Sequence, residues 1–203
     1  MPRAALSTEE IAAFRVRAVA AATHLFGRDG YEAVTMRALA SELGCSPMTP
    51  YRYFKDKAEL FAAVRTAAFQ RFADAQALAF DGAPTPMARL LRLQEAYVAY
   101  ALREPDAYRI MFELSQAPAG TYPELDAECT RAFSYLLRAT EEAVTDGHLA
   151  GDALTLAHLF WSSVHGMVSL HLAGKLTLGR DLAALTAATR PPSEQPEKGR
   201  MKG

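Results

Sequence analysis

The 203-residue chain is short of several things at once, and each shortage excludes something. Two cysteines, Cys45 and Cys129, are too few for a disulfide scaffold and are not spaced like a metal site, which argues for a reducing compartment. No apolar run approaches the ~20 residues that cross a bilayer, and the first residues lack a signal-peptide pattern. A cytoplasmic location with no membrane partner is therefore expected. A Gly-rich phosphate loop, a Ser/His/Asp order and an acid pair with an orienting group are all missing, so an enzyme is not expected and no cofactor is implied. Strand-type alternation and internal repeats are missing too. Charge of one sign is also scarce, with a net charge of −1. Residues 1–57 carry eight Lys+Arg and six Asp+Glu, a local +2, which leaves −3 for the rest. That lean toward nucleic acid is weak and far from a basic stripe.

What is present points to an all-α chain. Ser7-Thr8-Glu9-Glu10 reads as a capping box, followed by a helix to about Phe26 with Ile11, Phe14, Val19, Ala22, Leu25 and Phe26 at helical spacing. Gly27 and Gly30 are expected to end it. The stretch Thr35 to Lys57 then reads as two short helices joined by a tight turn. Thr35 caps Met36 to Leu43, Gly44 supplies the left-handed exit, and Ser46 caps a second helix with Pro47 at its first position. Two short helices around a Gly-containing turn are the helix-turn-helix signature, whose second helix enters the major groove of DNA. Arg37, Arg52, Lys55 and Lys57 flank that helix, although a merely solvated face would place cations there as well. Cys45 is expected to be a small buried apolar residue in this motif.

Phe26, Gly30, Tyr31, Thr35, Leu39-Ala40, Gly44-Cys45-Ser46, Thr49, Tyr51, Phe54, Lys57 and Leu60 resemble the N-terminal pattern of the TetR family of transcriptional regulators over roughly residues 8 to 64. Trp161, His165 and Gly166 in WSSVHGMVSL look like the WHG-type C-terminal domain of one branch of that family. The resemblance implies an N-terminal three-helix helix-turn-helix domain, a C-terminal helical domain that binds an effector, and a homodimer on a double-stranded DNA operator. By resemblance, Thr35, Tyr51, Tyr53 and Lys57 hold phosphates, while Arg37, Met48, Thr49 and Arg52 are the candidates for base edges. Phe54 is expected in the core. Two residues depart from the family pattern: Met48 and Pro50 flank Thr49 where a small residue and a β-branched or Leu residue are usual. Pro50 would be the fourth helical residue, so a distorted or 3₁₀-like first turn is expected, with Thr49 biased away from the helical basin.

A second capping box, Asp56-Lys57-Ala58-Glu59, opens a long helix to about Phe80. Gly82 to Pro86 is the clearest break. Further helices are expected to about Arg103, from Glu104-Pro105 through Leu114, from Pro123 to about Asp146, from Ala153 to about Leu172, and around Asp181 to Thr189. Ser115 to Tyr122 reads as a loop. The domains are thus residues 8–56 for DNA binding and 57–189 for effector binding and dimerisation, with 190–203 a disordered tail. The C-terminal helices are rich in aromatic, Met and His residues. Tyr97, Tyr108, Met111, Phe112, Phe133, Trp161 and His165 are candidate effector contacts, with plain core packing as the alternative for each. His158 and His165 lie two turns apart with no carboxylate or Cys to complete a ligand set, so no metal is expected. Gly166 inside a helix, with Ser162 and Ser169 nearby, suits close approach of another helix; the resemblance makes that a candidate dimer contact, with close packing within one subunit as the alternative. The function expected is a ligand-responsive regulator, a repressor released from a palindromic operator by a small, largely apolar effector. The alternative is a helical ligand-binding or adaptor protein that no longer binds DNA.

Overall fold

The computed structural model describes residues 7–112, 118 and 120–189. The tail 190–203 and most of the expected loop 115–122 lie outside them, as does the expected end of the fifth helix at Leu114. Among the described residues the chain forms α1 (Thr8–Ala33), α2 (Met36–Glu42), a 3₁₀ turn (Pro50–Arg52), α3 (Lys57–Asp81), α4 (Pro86–Arg103), α5 (Pro105–Phe112), α6 (Pro123–Thr145), α7 (Ala153–Leu172) and α8 (Leu182–Ala188), with no strand.

Local chemistry accounts for most helix ends. At α1 both halves of the capping box form: Glu10 N–H donates to Ser7 Oγ at 3.1 Å and Ser7 N–H to Glu10 Oε2 at 2.7 Å. Asp152 and Asp181 cap α7 and α8, accepting from the amides of Thr155 and Ala184 at 2.8 Å each. Two expectations need correcting. Gly27 does not end α1. It is buried inside the helix, where a Cβ would collide with the Asp106 side chain; the break comes at Gly30, at φ +78°. At α3, Asp56 Oδ1 accepts from Glu59 N–H at 2.9 Å, but Glu59 Oε2 takes the amide of Lys55, not that of Asp56. Only half of that capping box forms.

The described helices belong to two compact units, and the chain passes between them inside α3, at the end of α4 and inside α6. The first unit takes residues up to Ala73 together with Arg103–Ala132. Phe14, Ala18, Leu25 and Phe26 of α1 pack with Leu39 of α2, Phe54, Leu60, Phe61 and Val64 to form its core. Ile110 of α5 joins the same cluster, and α5 lies along α1. Arg65 is buried here: its guanidinium donates to the Met111 carbonyl at 3.3 Å, and burial pulls its pKa down. Burial also pushes the Cys129 thiol up. The second unit takes Asp74–Leu102 and the chain from Phe133 onward. Its core gathers Phe80, Leu93 and Ala139, with Leu90, Tyr135 and Leu136 against them. Arg89 covers the Phe80 ring and pairs with Glu142. No helix among the described residues is long and apolar enough to cross a membrane.

Candidate nucleic-acid interface and ligand cavity

The turn after α2 builds the first site. Thr35 Oγ1 accepts the Ala38 amide at 3.1 Å, and Gly44 takes φ +62° to leave the helix, both as expected. The second element has the 3₁₀ character expected, but it does not go on into an α-helix of its own before α3. Ser46 accepts the Met48 amide at 3.4 Å in a side-chain turn, and the Thr49 amide closes on the Ser46 carbonyl at 2.8 Å. Only then does a 3₁₀ turn begin, with the amides of Tyr53 and Phe54 both donating to the Pro50 carbonyl at 3.0 Å. Pro50 has no N–H to continue an α-helical ladder, and its ring is buried, so the chain makes successive tight turns in place of a helix. Thr49 sits in the helical basin at φ −64°, ψ −47°, against the bias that a following proline imposes. Its own amide and its carbonyl are both held by i→i+3 bonds, which outweigh that bias.

This arrangement leaves a distinct surface. Arg37 and Arg52 are exposed, as is Thr35. Met48 is 68% exposed and Tyr51 49%. Met48, Thr49, Tyr51 and Arg52 line one concave patch with Cys45 and Ser46. Cys45 is half-buried at the edge of the core, less enclosed than expected, because the patch opens beside it. Phe54 is fully buried, as expected. Tyr53 is half-buried, its ring stacked on Phe14 with centroids 4.0 Å apart. The Lys57 ammonium donates to the carbonyls of Tyr31 at 3.0 Å and Glu32 at 3.4 Å and lies over the Tyr31 ring. It ties the start of α3 to the end of α1.

Sequence reasoning missed Arg15. Its guanidinium donates to the Tyr53 carbonyl, lies 4.4 Å from the Phe54 ring centre and reaches Glu59 at 3.8 Å, so it anchors the far end of the 3₁₀ turn. A signal was available, since Arg15 falls one turn from Ile11 and Ala18 on the apolar face of α1.

The second site lies within the second unit: a cavity of about 320 Å³ between α3, α4, α6 and α7. Met87, Leu90, Leu93, Trp161, Val164 and Met167 supply apolar wall. Tyr97 also lines it, and its hydroxyl meets His165 Nδ1 at 3.1 Å, with His165 Nε2 3.3 Å from Ser169 Oγ. Phe133 stands behind this wall, edge-on to Trp161 and against His158. Of the seven expected effector contacts, Tyr97 and Trp161 therefore line the cavity, and His165 and Phe133 support them. Tyr108 and Met111 are fully buried in the first unit, where Phe112 packs on Tyr108 and Phe69. They do not line this cavity, because helical aromatic stripes fill a core as readily as a pocket. Gln76 and Gln94 do line it and were not anticipated. Gln76 occupies an apolar-stripe position of α3, four residues from both Phe72 and Phe80, which was the available signal. No cluster of three or more His, Cys, Asp or Glu suited to a metal occurs among the described residues.

On α7 the candidate dimer contacts lie toward solvent. Ser162 is exposed, Gly166 and Ser169 are half-buried, and only Ala157, Val164 and Val168 of the helix are buried. A Cβ on Gly166 would meet no atom within 4 Å. Packing within the chain does not require glycine there.

Comparison with known proteins agrees with this construction. The sequence pattern described as bacterial regulatory proteins, tetR family, matches residues 18–64, and that of the tetracyclin repressor-like C-terminal domain matches residues 90–189. No curated protein matches the sequence. Among solved structures, a protein of unknown function from Rhodococcus sp. RHA1 is 27% identical over 93% of this chain and 94% of its own, with a TM-score of 0.75. A bacterial regulatory protein in the tetR family from Rhodococcus RHA1 is 22% identical over 76% and 83%, with a TM-score of 0.66. The transcriptional regulator FadR from Bacillus subtilis, in complex with stearoyl-CoA, is 15% identical over 85% and 94%, with a TM-score of 0.73, a likeness of fold alone. The two sequence patterns cover the capped turn and the cavity-bearing helices between them, and the chain belongs to the TetR family of transcriptional regulators.

Proposed function

We propose that the protein is a ligand-responsive repressor that binds a near-palindromic operator as a homodimer and is released by a small, largely apolar effector. Residues 8–56 do the reading, and residues 57–189 hold the effector and the dimer contact. The observation that carries this reading is the exposed turn on the packed core of the first unit. Met48, more than two-thirds exposed, sits beside Arg52 on the same concave patch. An Arg suits a guanine edge, and Met or the Thr49 methyl suits a thymine methyl. Thr35, Tyr51, Tyr53 and Lys57 take phosphates, which set register without carrying sequence. Arg37 joins Met48, Thr49 and Arg52 at the bases. Two such turns in a symmetric dimer would read major grooves about 34–36 Å apart or a multiple of that.

The cavity supports the regulatory half. Its apolar wall and few convergent polar groups are what effector pockets have. An effector releases DNA only through a difference in affinity between the two states, so it must bind the state that does not hold the operator more tightly. The dimer contact is assigned to α7, whose exposed Leu159 and Leu170 flank Ser162, Gly166 and Ser169.

Selection of bound duplexes from a random library tests the reading. An inverted repeat with half-sites spaced as above is expected. One observation favours the alternative of a helical binding protein without a DNA partner: a three-residue 3₁₀ turn stands where a groove helix is usual. Recovery of no motif by protein shown to be folded and dimeric would establish that alternative in place of the repressor.

A further inference from the structure

We infer that the cavity in the second unit takes an uncharged, largely apolar ligand bearing one hydrogen-bond acceptor, such as a ketone or ester carbonyl, which the side-chain amide of Gln76 receives. The inference rests on the reading of this cavity as the effector site and specifies the chemistry of its occupant.

Two observations lead to it. First, no Lys, Arg, Asp or Glu lines the cavity among the described residues. The nearby cation Arg89 is turned away, paired with Glu142, bonded to the Ala83 carbonyl and covering Phe80. A buried carboxylate or phosphate would find no counter-charge here, and burying an unpaired ion is costly. Second, the polar groups of the wall are not alike. Gln94 Nε2 donates to Thr189 Oγ1 at 2.6 Å and to the Thr186 carbonyl at 3.3 Å. The Tyr97 hydroxyl is engaged by His165. Gln76 differs: it is 4% exposed, lines the cavity, and its Nε2 has no hydrogen-bond partner among the described residues.

A buried amide left unpaired costs about as much as the hydrogen bond it lacks is worth. A leucine of similar shape would avoid that penalty, and among the described residues nothing satisfies this donor. A ligand oxygen placed against Gln76 removes the penalty on binding, whereas a purely apolar ligand leaves it in place. Size narrows the class further. About 320 Å³ holds on the order of ten heavy atoms at the ~30 Å³ each occupies in a liquid. That admits, inside the cavity, a medium-length chain or a bicyclic skeleton with one oxygen function.

The single tryptophan, Trp161, lines the cavity and reports occupancy by its emission. The full-length protein and its Gln76→Leu variant would each be titrated with an eight-carbon methyl ketone, the matching n-alkane and the matching carboxylate at neutral pH. Expected is a roughly tenfold weaker ketone affinity in Gln76→Leu, with alkane affinity unchanged or tighter. The carboxylate is expected to bind the wild type at least tenfold more weakly than the ketone. Thermal melting of Gln76→Leu, expected at or above the wild-type midpoint, excludes misfolding as the cause. Ketone and alkane affinities that change in parallel, or a carboxylate that binds as well as the ketone, would overturn the inference while leaving the cavity an effector site. If no probe binds by emission or calorimetry, the effector reading of the cavity fails together with it.

Discussion

Consider Gly166→Leu in the middle of α7. Within one chain the change is favourable. Glycine in a helix interior costs about 1 kcal/mol relative to Ala, and Leu is nearly as good a helix former. A Cβ at this position meets no atom within 4 Å, so nothing in the chain opposes the gain. For a chain of this size about 1 kcal/mol raises the melting midpoint by roughly 2–4 °C. Between two chains the sign reverses. If α7 faces its counterpart across a two-fold axis, with Leu159 and Leu170 around a seam of small residues, backbones approach most closely where the side chain is missing. Overpacking costs about 1–3 kcal/mol per site, and symmetry counts it twice. Roughly 2–6 kcal/mol per dimer weakens association by about thirtyfold or more. Sedimentation equilibrium across a dilution series reads the dimer constant, and urea melts at the dilute end read the chain alone. The expected result is a tighter-folded monomer that pairs poorly. An unchanged association constant would place the dimer contact on another face, and a destabilised monomer would mean the side chain meets a neighbour that the reasoning denies.

Three further perturbations test other parts. Arg52→Ala should relax preference at one operator position by about 1–3 kcal/mol, whereas Lys57→Ala should weaken all duplexes alike and lower the salt slope by about one; salt-dependent binding to the selected operator and its point variants reads both, and a sequence-dependent Lys57 effect would take that residue off the phosphates. Because its ammonium also holds the Tyr31 and Glu32 carbonyls, Lys57→Ala should cost the free protein about 1.5 kcal/mol in urea unfolding as well. Gly27→Ala should cost about 1–3 kcal/mol, because the new methyl strikes Asp106; Asp106→Gly should recover part of it, and no loss would refute the α1–α5 contact. Asp152, whose carboxyl is held below the ordinary aspartate range by the Thr155 hydroxyl and then its amide, contributes stability that is full above its unfolded value near pH 4 and is lost as pH falls through the lower folded value. Asp152→Asn should flatten that acid limb of the unfolding profile, and an unaltered limb would remove the assignment.

Much of the molecule could be read from the chain alone, for a physical reason. Caps, left-handed glycines and helical stripes are local: Ser7 and Glu10, Thr35, Gly44 and the bounds of α7 depend on residues within four positions, so their spacing determined them. The family, too, followed from residues spread along one short motif. Tertiary structure decided the rest. Gly27 and Gly30 look alike in sequence, but only the packing of α5 makes one a buried contact and leaves the other as the break. Pro50 announced the 3₁₀-like turn, but the burial of its ring and Arg15's hold on the Tyr53 carbonyl came only from the fold. The aromatic residues of the C-terminal helices shared one pattern, and folding divided them between a closed core at Tyr108 and Met111 and a cavity wall at Tyr97 and Trp161. Gln76 carried no signal beyond a polar letter in an apolar stripe. Periodicity specifies which face of a helix is buried; which groups across that face leave a space, and which donor in it goes unpaired, depends on elements far apart in sequence.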